Sequence, residues 1–170
     1  MLFLRFLVGE VELDSIQTTC LHADHPSGAG KISRIAAGME DGLSSDRKVP
    51  RVTASQWRFA EGGVGSLMHA VCLQGDGCFE TQIDILMDGL RMTLYEPYEP
   101  TCKLMVHDGR GGPGREFSES YGSDDPYKSE LETFVSSVRS GDASAIRSSY
   151  ADAAKTYELS WQVRRAGERK

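Results

Sequence analysis

The amino-acid sequence predicts an α+β fold, in which an open, mostly antiparallel or mixed β-sheet of about six strands carries helices on one face. Between residues 12 and 120 the chain contains short segments in which apolar and polar residues alternate, separated by turn residues. A short helix is expected at residues 1–8. After it, apolar residues recur at helical spacing only beyond residue 124. The strand connections are too short for the crossover helices that parallel strands need. Strands followed by helices are typical of α+β layers.

Composition and charge indicate one acidic globular domain spanning residues 1–170. Hydrophobic residues make up 39% of the 170, enough for one core, and 25 acidic against 19 basic side chains leave a net charge of −6. An acidic surface repels phosphate backbones, so we expect no nucleic-acid partner. Arg5 interrupts the apolar start, and no segment reaches the roughly 20 apolar residues of a membrane span. We therefore expect a cytoplasmic protein with no membrane partner.

The strand-like segments alternate between faces or are rich in β-branched residues. They are residues 12–22, 52–59, 65–73, 78–87, 90–95, 101–107 and 116–120. In the segment 78–87, the predicted apolar and polar faces are Phe79, Thr81, Ile83, Ile85 and Met87 against Glu80, Gln82 and Asp84. Residues 23–50 are rich in Gly, Ser and Pro and exceed ordinary loop lengths, which predicts a long loop inserted into the domain.

Two helices are predicted in the C-terminal third. Asp125 is a capping residue before Pro126, which suits a first helical turn, and apolar residues at helical spacing continue to Gly141. A second helix is expected over about residues 146–166. Tyr150, Ala153, Tyr157 and Trp161 follow one another at helical spacing and form an apolar stripe along this helix. We expect Tyr157 and Trp161 of this stripe to lie in the core.

Residues 109–114 match the Gly-x-Gly-x-x-Gly pattern of dinucleotide-binding loops. Such a loop needs a helix after it, whose N-terminus faces the pyrophosphate. Pro113 and a strand-like segment stand there instead. The pattern therefore predicts a hairpin loop.

Four segments, residues 61–68, 84–90, 125–134 and 155–161, together resemble the C-terminal domain of the Gfo/Idh/MocA oxidoreductases in their order and spacing. The resemblance covers nearly the whole chain from Arg5 onward, and the Gly/Ser-rich insertion is similar to that of fungal members. It implies a large open sheet with helices on one face, which shapes a sugar or polyol pocket. It also implies dimers in which sheet faces meet.

The chain departs from this family in its catalytic parts. Members carry a Rossmann domain before the sheet, a His-x-x-Asp arrangement shortly before an arginine, and a Glu-Lys-Pro motif. Aligning that arginine with Arg5 puts Leu2 at the aspartate and the histidine before Met1. The resemblance thus implies that the nucleotide-binding half and both catalytic residues are missing, so we expect no cofactor.

His69 stands out among the four histidines, because it alternates with Leu67 and Val71 on an apolar strand face. A histidine there is either a hydrogen-bonded core residue or an acid or base in a pocket. The candidate catalytic residues, which could donate a hydrogen bond to charge developing on an oxygen, are His69, Tyr95 and Gln56. The candidate substrate-binding aromatics, whose alternative role is core or dimer packing, are Trp57, Phe59 and Tyr98.

The remaining polar groups predict no metal site. His22, Asp24 and His25 are close in sequence, but they are only one to three residues apart and no further ligand follows at metal-binding spacing. The polar strand face at residues 80–84 either lines a pocket or meets water.

Two functions remain open from sequence. The first is a cofactor-independent isomerase or cyclase acting on a small natural-product intermediate, by pericyclic or acid-assisted ring formation, because such a site needs only restraint and a few hydrogen bonds. The alternative is a non-catalytic subunit or metabolite-binding module that associates with full-length dehydrogenases. A third possibility is that the chain is a truncated gene product without activity. The helices can cover only one sheet face, so we expect a homodimer through the other.

Overall fold

The computed structural model describes residues 2–22, 39–44, 47–71, 80–123 and 125–168, and it confirms the α+β class. Seven strands, where about six are expected, form two antiparallel sheets. In chain order the elements are α1 (Leu2–Val8), a 3₁₀ helix (Leu13–Ser15), β1 (Gln17–Leu21), β2 (Val52–Arg58), β3 (Val64–Ala70), β4 (Gln82–Met87), β5 (Leu90–Tyr95), β6 (Lys103–Asp108), β7 (Arg115–Ser120), α2 (Pro126–Ser140) and α3 (Tyr150–Glu168). No helix within the described residues is long and apolar enough to cross a membrane.

The chain divides into two compact units. The first comprises Met1–Cys78 and Ser148–Lys170, and the second comprises Phe79–Arg147. The first holds the sheet β1-β2-β3 with α1 and α3, and the second holds the sheet β4-β5-β6-β7 with α2. The assignment of residues 1–170 to one domain stays a prediction. So does the long loop at residues 23–50, most of which lies outside the described residues.

Trp57 is a buried core residue that packs against the three-stranded sheet. It is 2% exposed, and its ring meets that of Phe59, which is 4% exposed, edge to face at 6.4 Å between centroids. Gly65 pairs with Trp57 across β2 and β3, and a Cβ at Gly65 would come within 2.3 Å of the indole Nε1. The indole can therefore lie over β3 only because position 65 has no side chain.

The helix α3 packs on β1 through a stripe of small and aliphatic residues. Leu159 and Val163 are 1% and 5% exposed. Gly167 lies so close to the sheet that a Cβ there would come within 2.4 Å of the Cys20 Sγ. The i, i+4, i+8 spacing of these three residues places them on one side of the helix.

The aromatic stripe of α3 lies outside this contact. Tyr157 and Trp161 are 66% and 41% exposed, so the prediction that they lie in the core is wrong. Their rings pack on each other edge to face at 6.2 Å, and the Arg165 guanidinium lies 5.8 Å from the Trp161 ring centroid. These contacts are made along the exposed side of one helix.

Arg5 joins α1 to α3 through an ionic cluster. Its side chain is 4% exposed, and its Nη2 lies 2.9 Å from carboxylate oxygens of both Glu10 and Asp152. Its Nη1 donates to the Asp152 carbonyl oxygen at 2.9 Å and to the Thr156 hydroxyl at 2.7 Å. Lys155 also donates to Glu10, at 2.8 Å. The hydrogen bonds from Arg5 and then Lys155 lower the pKa of Glu10 from its ordinary 4.5 to about 2.

The four-stranded sheet has one apolar and one polar face, as the alternation in β4 predicts. Gln82 and Asp84 point to the polar face, and Ile83 and Ile85 point to the other. The register places on this apolar face Ile83, Ile85, Met87, Leu90, Met92, Leu94, Leu104, Val106 and Phe117. Residues 109–114 connect β6 to β7, which confirms the predicted hairpin loop.

The predicted ends of α2 are confirmed. The Asp125 side chain accepts a hydrogen bond from the backbone N–H of Lys128 at 2.9 Å, Pro126 occupies the first turn, and Gly141 ends the helix at φ 73°. The burial of α2 differs from expectation. Its apolar residues, between 42% and 66% exposed, are Tyr127, Leu131, Phe134, Val135 and Val138, whereas the residue it buries is Ser137.

Gly65→Ala should lower the free energy of unfolding by about 1–3 kcal/mol, because the new methyl group overlaps the Trp57 indole. We expect a lower melting temperature and a shifted tryptophan emission spectrum. Gly114→Ala is the matched control, since a Cβ there would approach only the Asp108 carbonyl oxygen, at 4.0 Å. Equal melting temperatures for the two variants would contradict the packing described.

Arg5→Met should destabilise the protein by about 1–3 kcal/mol at pH 7, because two carboxylates lose a buried partner. The folded-state pKa of Glu10 is lowered, so its contribution is complete above about pH 4.5 and is lost as the pH falls towards 2. Denaturant unfolding at pH 7, 4.5 and 2.5 should therefore show a shrinking difference from wild type. Lys128→Met, which breaks an exposed pair with Glu132, should have little effect. A pH-independent difference would argue against the cluster.

Candidate substrate groove

An open groove of about 430 Å³ lies in the first unit beside the edge where β1 begins and β2 ends. Its size is within the usual range of about 300–1,000 Å³ for small-molecule sites. The lining combines charged, amide, hydroxyl and apolar side chains, namely Asp14, Ser15, Gln17, Gln56, Trp57, Arg58 and Val64. We call this site the first groove.

Two glutamines form the polar floor of the first groove. Gln17 and Gln56 are direct partners across β1 and β2, and Gln56 Nε2 donates to Gln17 Oε1 at 2.9 Å. Each amide carries one carbonyl oxygen and one NH₂ group. The pair therefore keeps the Gln56 carbonyl oxygen as an acceptor and the Gln17 amide nitrogen as a donor for a bound molecule.

The 3₁₀ helix is fixed to β2 at the wall of the first groove. Ser15 Oγ accepts a hydrogen bond from the Arg58 backbone N–H at 2.8 Å and donates to the Glu12 carbonyl at 2.6 Å. The Glu12 backbone N–H donates to the Arg58 carbonyl at 3.0 Å, and the Arg58 Nε donates to the Glu12 carboxylate at 2.9 Å. This reciprocal bonding positions the neighbouring Asp14 at the rim.

The structure brings together two of the predicted site residues and separates a third. Gln56 and Trp57 both line the first groove. His69 pairs with Thr53 in register, which places it on the opposite sheet face from Gln56. His69 is exposed and does not line this groove, so its interpretation as a core histidine is wrong. Its catalytic role stays a prediction.

The other predicted site residues lie elsewhere. Phe59 is buried against Trp57 in the core. Tyr95 belongs to the second unit, on the polar face of its sheet between Gln82 and Lys103. Tyr98 follows β5 in the same unit and is 52% exposed. The roles predicted for these three aromatics are not tested by this placement.

The polar strand face of the second unit is organised around Asp84. Its Oδ1 accepts hydrogen bonds from Thr93 at 2.7 Å and from Arg91 at 3.0 and 3.2 Å, and its other oxygen accepts one from Gln82. The bond from Thr93, followed by those from Gln82 and Arg91, lowers the pKa of Asp84 below its ordinary 3.8. The carboxylate is thus engaged by its own sheet, which favours a structural role.

No group of three or more potential ligands that could hold a metal ion occurs within the part of the chain that the structure describes. His22 belongs to that part, whereas Asp24 and His25 of the proposed cluster lie outside it. The absence of a metal site at residues 22–25 therefore stays a prediction.

Sequence reasoning missed five residues that line the first groove, namely Asp14, Ser15, Gln17, Arg58 and Val64. Gln17 could have been found by pairing β1 with β2, because a strand partner of Gln56 faces the same side of the sheet. Asp14 and Ser15 lie in a 3₁₀ turn inside the segment expected to be a strand, so alternation alone gave no signal for them.

Residues 3–90 match the family model described as "Putative oxidoreductase C terminal domain". The chain belongs to this family. This match, together with the fold, confirms the resemblance to the C-terminal domain of Gfo/Idh/MocA oxidoreductases. The first groove lies entirely within the matched residues.

Two relatives and one solved structure are similar to the chain. Uncharacterized protein UNK4.17 of Schizosaccharomyces pombe is 34% identical over 95% of this chain, and Uncharacterized protein C12C2.04 of the same yeast is 28% identical over 89%. The chain spans 38% of the length of each. A crystal structure titled as a putative NADPH-dependent oxidoreductase from Desulfitobacterium hafniense DCB-2 superposes with a TM-score of 0.65, at 11% identity, over 97% of this chain and 42% of that one.

Proposed function

We propose that this chain is the substrate-side domain of an oxidoreductase, and that its first groove binds a small, oxygen-rich substrate. The observation that carries the proposal is the hydrogen-bonded pair of Gln17 and Gln56 on the groove floor. Family membership supports the oxidoreductase class. The resemblance to Gfo/Idh/MocA proteins implies sugars or polyols as the substrate class.

The glutamine pair suits a hydroxylated ligand for a physical reason. A hydroxyl group both donates and accepts hydrogen bonds. The Gln56 carbonyl and the Gln17 amide offer one acceptor and one donor side by side, so neighbouring hydroxyl groups could each satisfy one of them. Because the two amides are already bonded to each other, little side-chain freedom is lost when the ligand binds.

Residues 109–114 do not provide the phosphate-binding loop that a nicotinamide cofactor needs. The Gly-x-Gly-x-x-Gly segment at residues 109–114 is a β-hairpin loop, whereas a dinucleotide site needs the N-terminus of a helix there. Under this proposal the chain contributes the binding and orientation of the substrate. The nucleotide would be bound by a separate domain, of the kind that the family resemblance implies.

A cofactor-independent isomerase or cyclase is the second candidate function. The observation that favours it is the pair of hydrogen-bonding amides in the first groove, because restraint and a few hydrogen bonds can accelerate ring formation without a cofactor. The geometry supports it less well than the first, because His69 does not line the first groove beside Gln56. A cyclase would need another proton donor in the groove.

Gln56→Leu should weaken the binding of myo-inositol or glucose by about tenfold, because it removes one acceptor and frees Gln17. Isothermal titration and amide chemical shifts would measure the affinity and locate the site. The matched control is Gln82→Leu, at an exposed glutamine of the other unit. Equal weakening by both variants, or no binding by wild type, would argue against the first groove as the substrate site.

Analysis of the ligand after incubation discriminates between the two candidate functions. A sugar or polyol recovered unchanged after incubation with the chain alone agrees with a substrate-binding domain. An isomerised or ring-closed product that forms without a nicotinamide would favour the cyclase instead.

We also propose that the chain forms a homodimer through the apolar face of the four-stranded sheet. Ile83, Ile85, Met92, Leu94 and Leu104 on that face are only half-buried, and Met87 and Phe117 are more than half exposed. An apolar surface of this extent is usually covered by a partner. The same face would serve the alternative function, a non-catalytic subunit that associates with full-length dehydrogenases.

Ile85→Glu should convert the expected dimer to a monomer, because it places a charge on this apolar face. Light scattering at micromolar concentration is the measurement, and the wild-type interface should bury at least about 1,200 Å². Leu86→Glu is the matched control, since Leu86 is the next residue on the same strand but points to the polar face and is 73% exposed. A monomeric wild type, or dissociation by Leu86→Glu alone, would contradict the dimer through this face.

A further inference from the structure

A second groove of about 360 Å³ lies in the same unit, next to the first. It is lined by Leu13, Asp14, Ile16, Gln162 and Ala166, so it runs between the 3₁₀ helix and the C-terminal part of α3. Three of these five side chains are apolar, and all three are half-buried. An apolar group placed here would therefore be shielded from water on several sides.

The two grooves meet at Asp14, which lines both. The chain from Asp14 to Gln17 forms the ridge between them, with Ile16 lining the second groove and Gln17 lining the first. Because Ser15 is bonded to β2, the ridge is held in place. One elongated molecule could thus occupy both grooves by crossing the ridge at Asp14.

Two polar side chains along this path have no hydrogen-bond partner among the described residues. Asp14 is exposed, and no described residue donates to its carboxylate. Gln162, on the α3 side of the second groove, is likewise without a partner there. Asp14 remains available to accept a hydrogen bond from a hydroxyl group, and the Gln162 amide remains available to donate to a hydroxyl or ether oxygen, at the point where the two halves of a ligand are joined.

We infer that the substrate of this site has two parts, a hydroxylated end for the first groove and an apolar substituent for the second. This inference rests on the proposed function and narrows it from any oxygen-rich molecule to a conjugate such as an alkyl or aryl glycoside. Gln17 and Gln56 bind the hydroxylated end, Leu13, Ile16 and Ala166 contact the apolar end, and Asp14 accepts a hydrogen bond at the junction.

If the substrate has these two parts, the affinity of the protein for a glycoside should increase with the length of its apolar tail. Methyl β-glucoside has the hydroxylated end alone, whereas hexyl β-glucoside adds a chain long enough to enter the second groove. Burial of the added methylene groups should make hexyl β-glucoside bind at least about tenfold more tightly than the methyl compound. Both affinities would be measured by isothermal titration, with the hexyl compound below its micelle-forming concentration.

Ala166→Phe tests where the tail binds, because the ring would fill the second groove from α3. In this variant the two glucosides should bind with equal affinity, while methyl β-glucoside binds as it does to wild type. Ala154→Phe is the matched control on an exposed position of the same helix that lines neither groove. It should leave the tenfold difference unchanged.

The outcomes separate this inference from the proposed function. Equal affinities of wild type for both glucosides would overturn the two-part substrate but leave the first groove intact. A preference for the hexyl compound that survives Ala166→Phe would also overturn it, because the tail would then bind elsewhere, such as the exposed apolar side of α2. Failure of both compounds to bind would overturn the proposed function and the inference together.

Discussion

The contact between Trp57 and Gly65 is the constraint on which the first unit depends. Side chains alternate between sheet faces with a period of two, so a shift of one residue between β2 and β3 would reverse the facing of the whole strand. The indole can be buried only over a residue without a Cβ, and Gly65 is that residue. Burial of Trp57 therefore fixes the register and, with it, the direction of Gln56.

The binding surface follows from this register. Gln56 adjoins Trp57 in sequence and must point to the opposite face, where the pairing of β1 with β2 brings Gln17 beside it. The 3₁₀ helix then closes one side through Ser15 and Glu12, both bonded to Arg58. A buried aromatic side chain and an exposed amide pair are thus two results of the same strand placement.

Much of the fold could be predicted from local patterns. Alternation in β4 and the capping of α2 by Asp125 depend on neighbours within a few residues, and both are confirmed. The buried side of α3 could not be found in this way. Asp152 and Thr156 on that side are polar, and both are hydrogen-bonded to Arg5 from the other end of the chain. In the sequence, the aromatic stripe of α3 is easier to recognise than this mixture of polar and aliphatic residues. Tyr157 and Trp161 were therefore wrongly predicted to lie in the core.

The candidate site was predicted only in part for a related reason. Gln56 and Trp57 were selected for their chemistry, but Gln17 is 39 residues away from Gln56, and only the strand pairing shows that they meet. His69 was selected because it alternates with apolar residues. Alternation identifies the face of a strand but does not show whether another layer covers that face, and at His69 the side chain is exposed.

The helix α2 has a practical consequence for work on this chain. It turns its apolar side outward while it buries Ser137. Dyes that fluoresce in apolar surroundings should therefore bind to the folded protein, and their signal would be high before any heating. Thermal-shift assays based on such dyes would underestimate the cooperativity of unfolding, whereas intrinsic fluorescence from the buried Trp57 would follow the core directly.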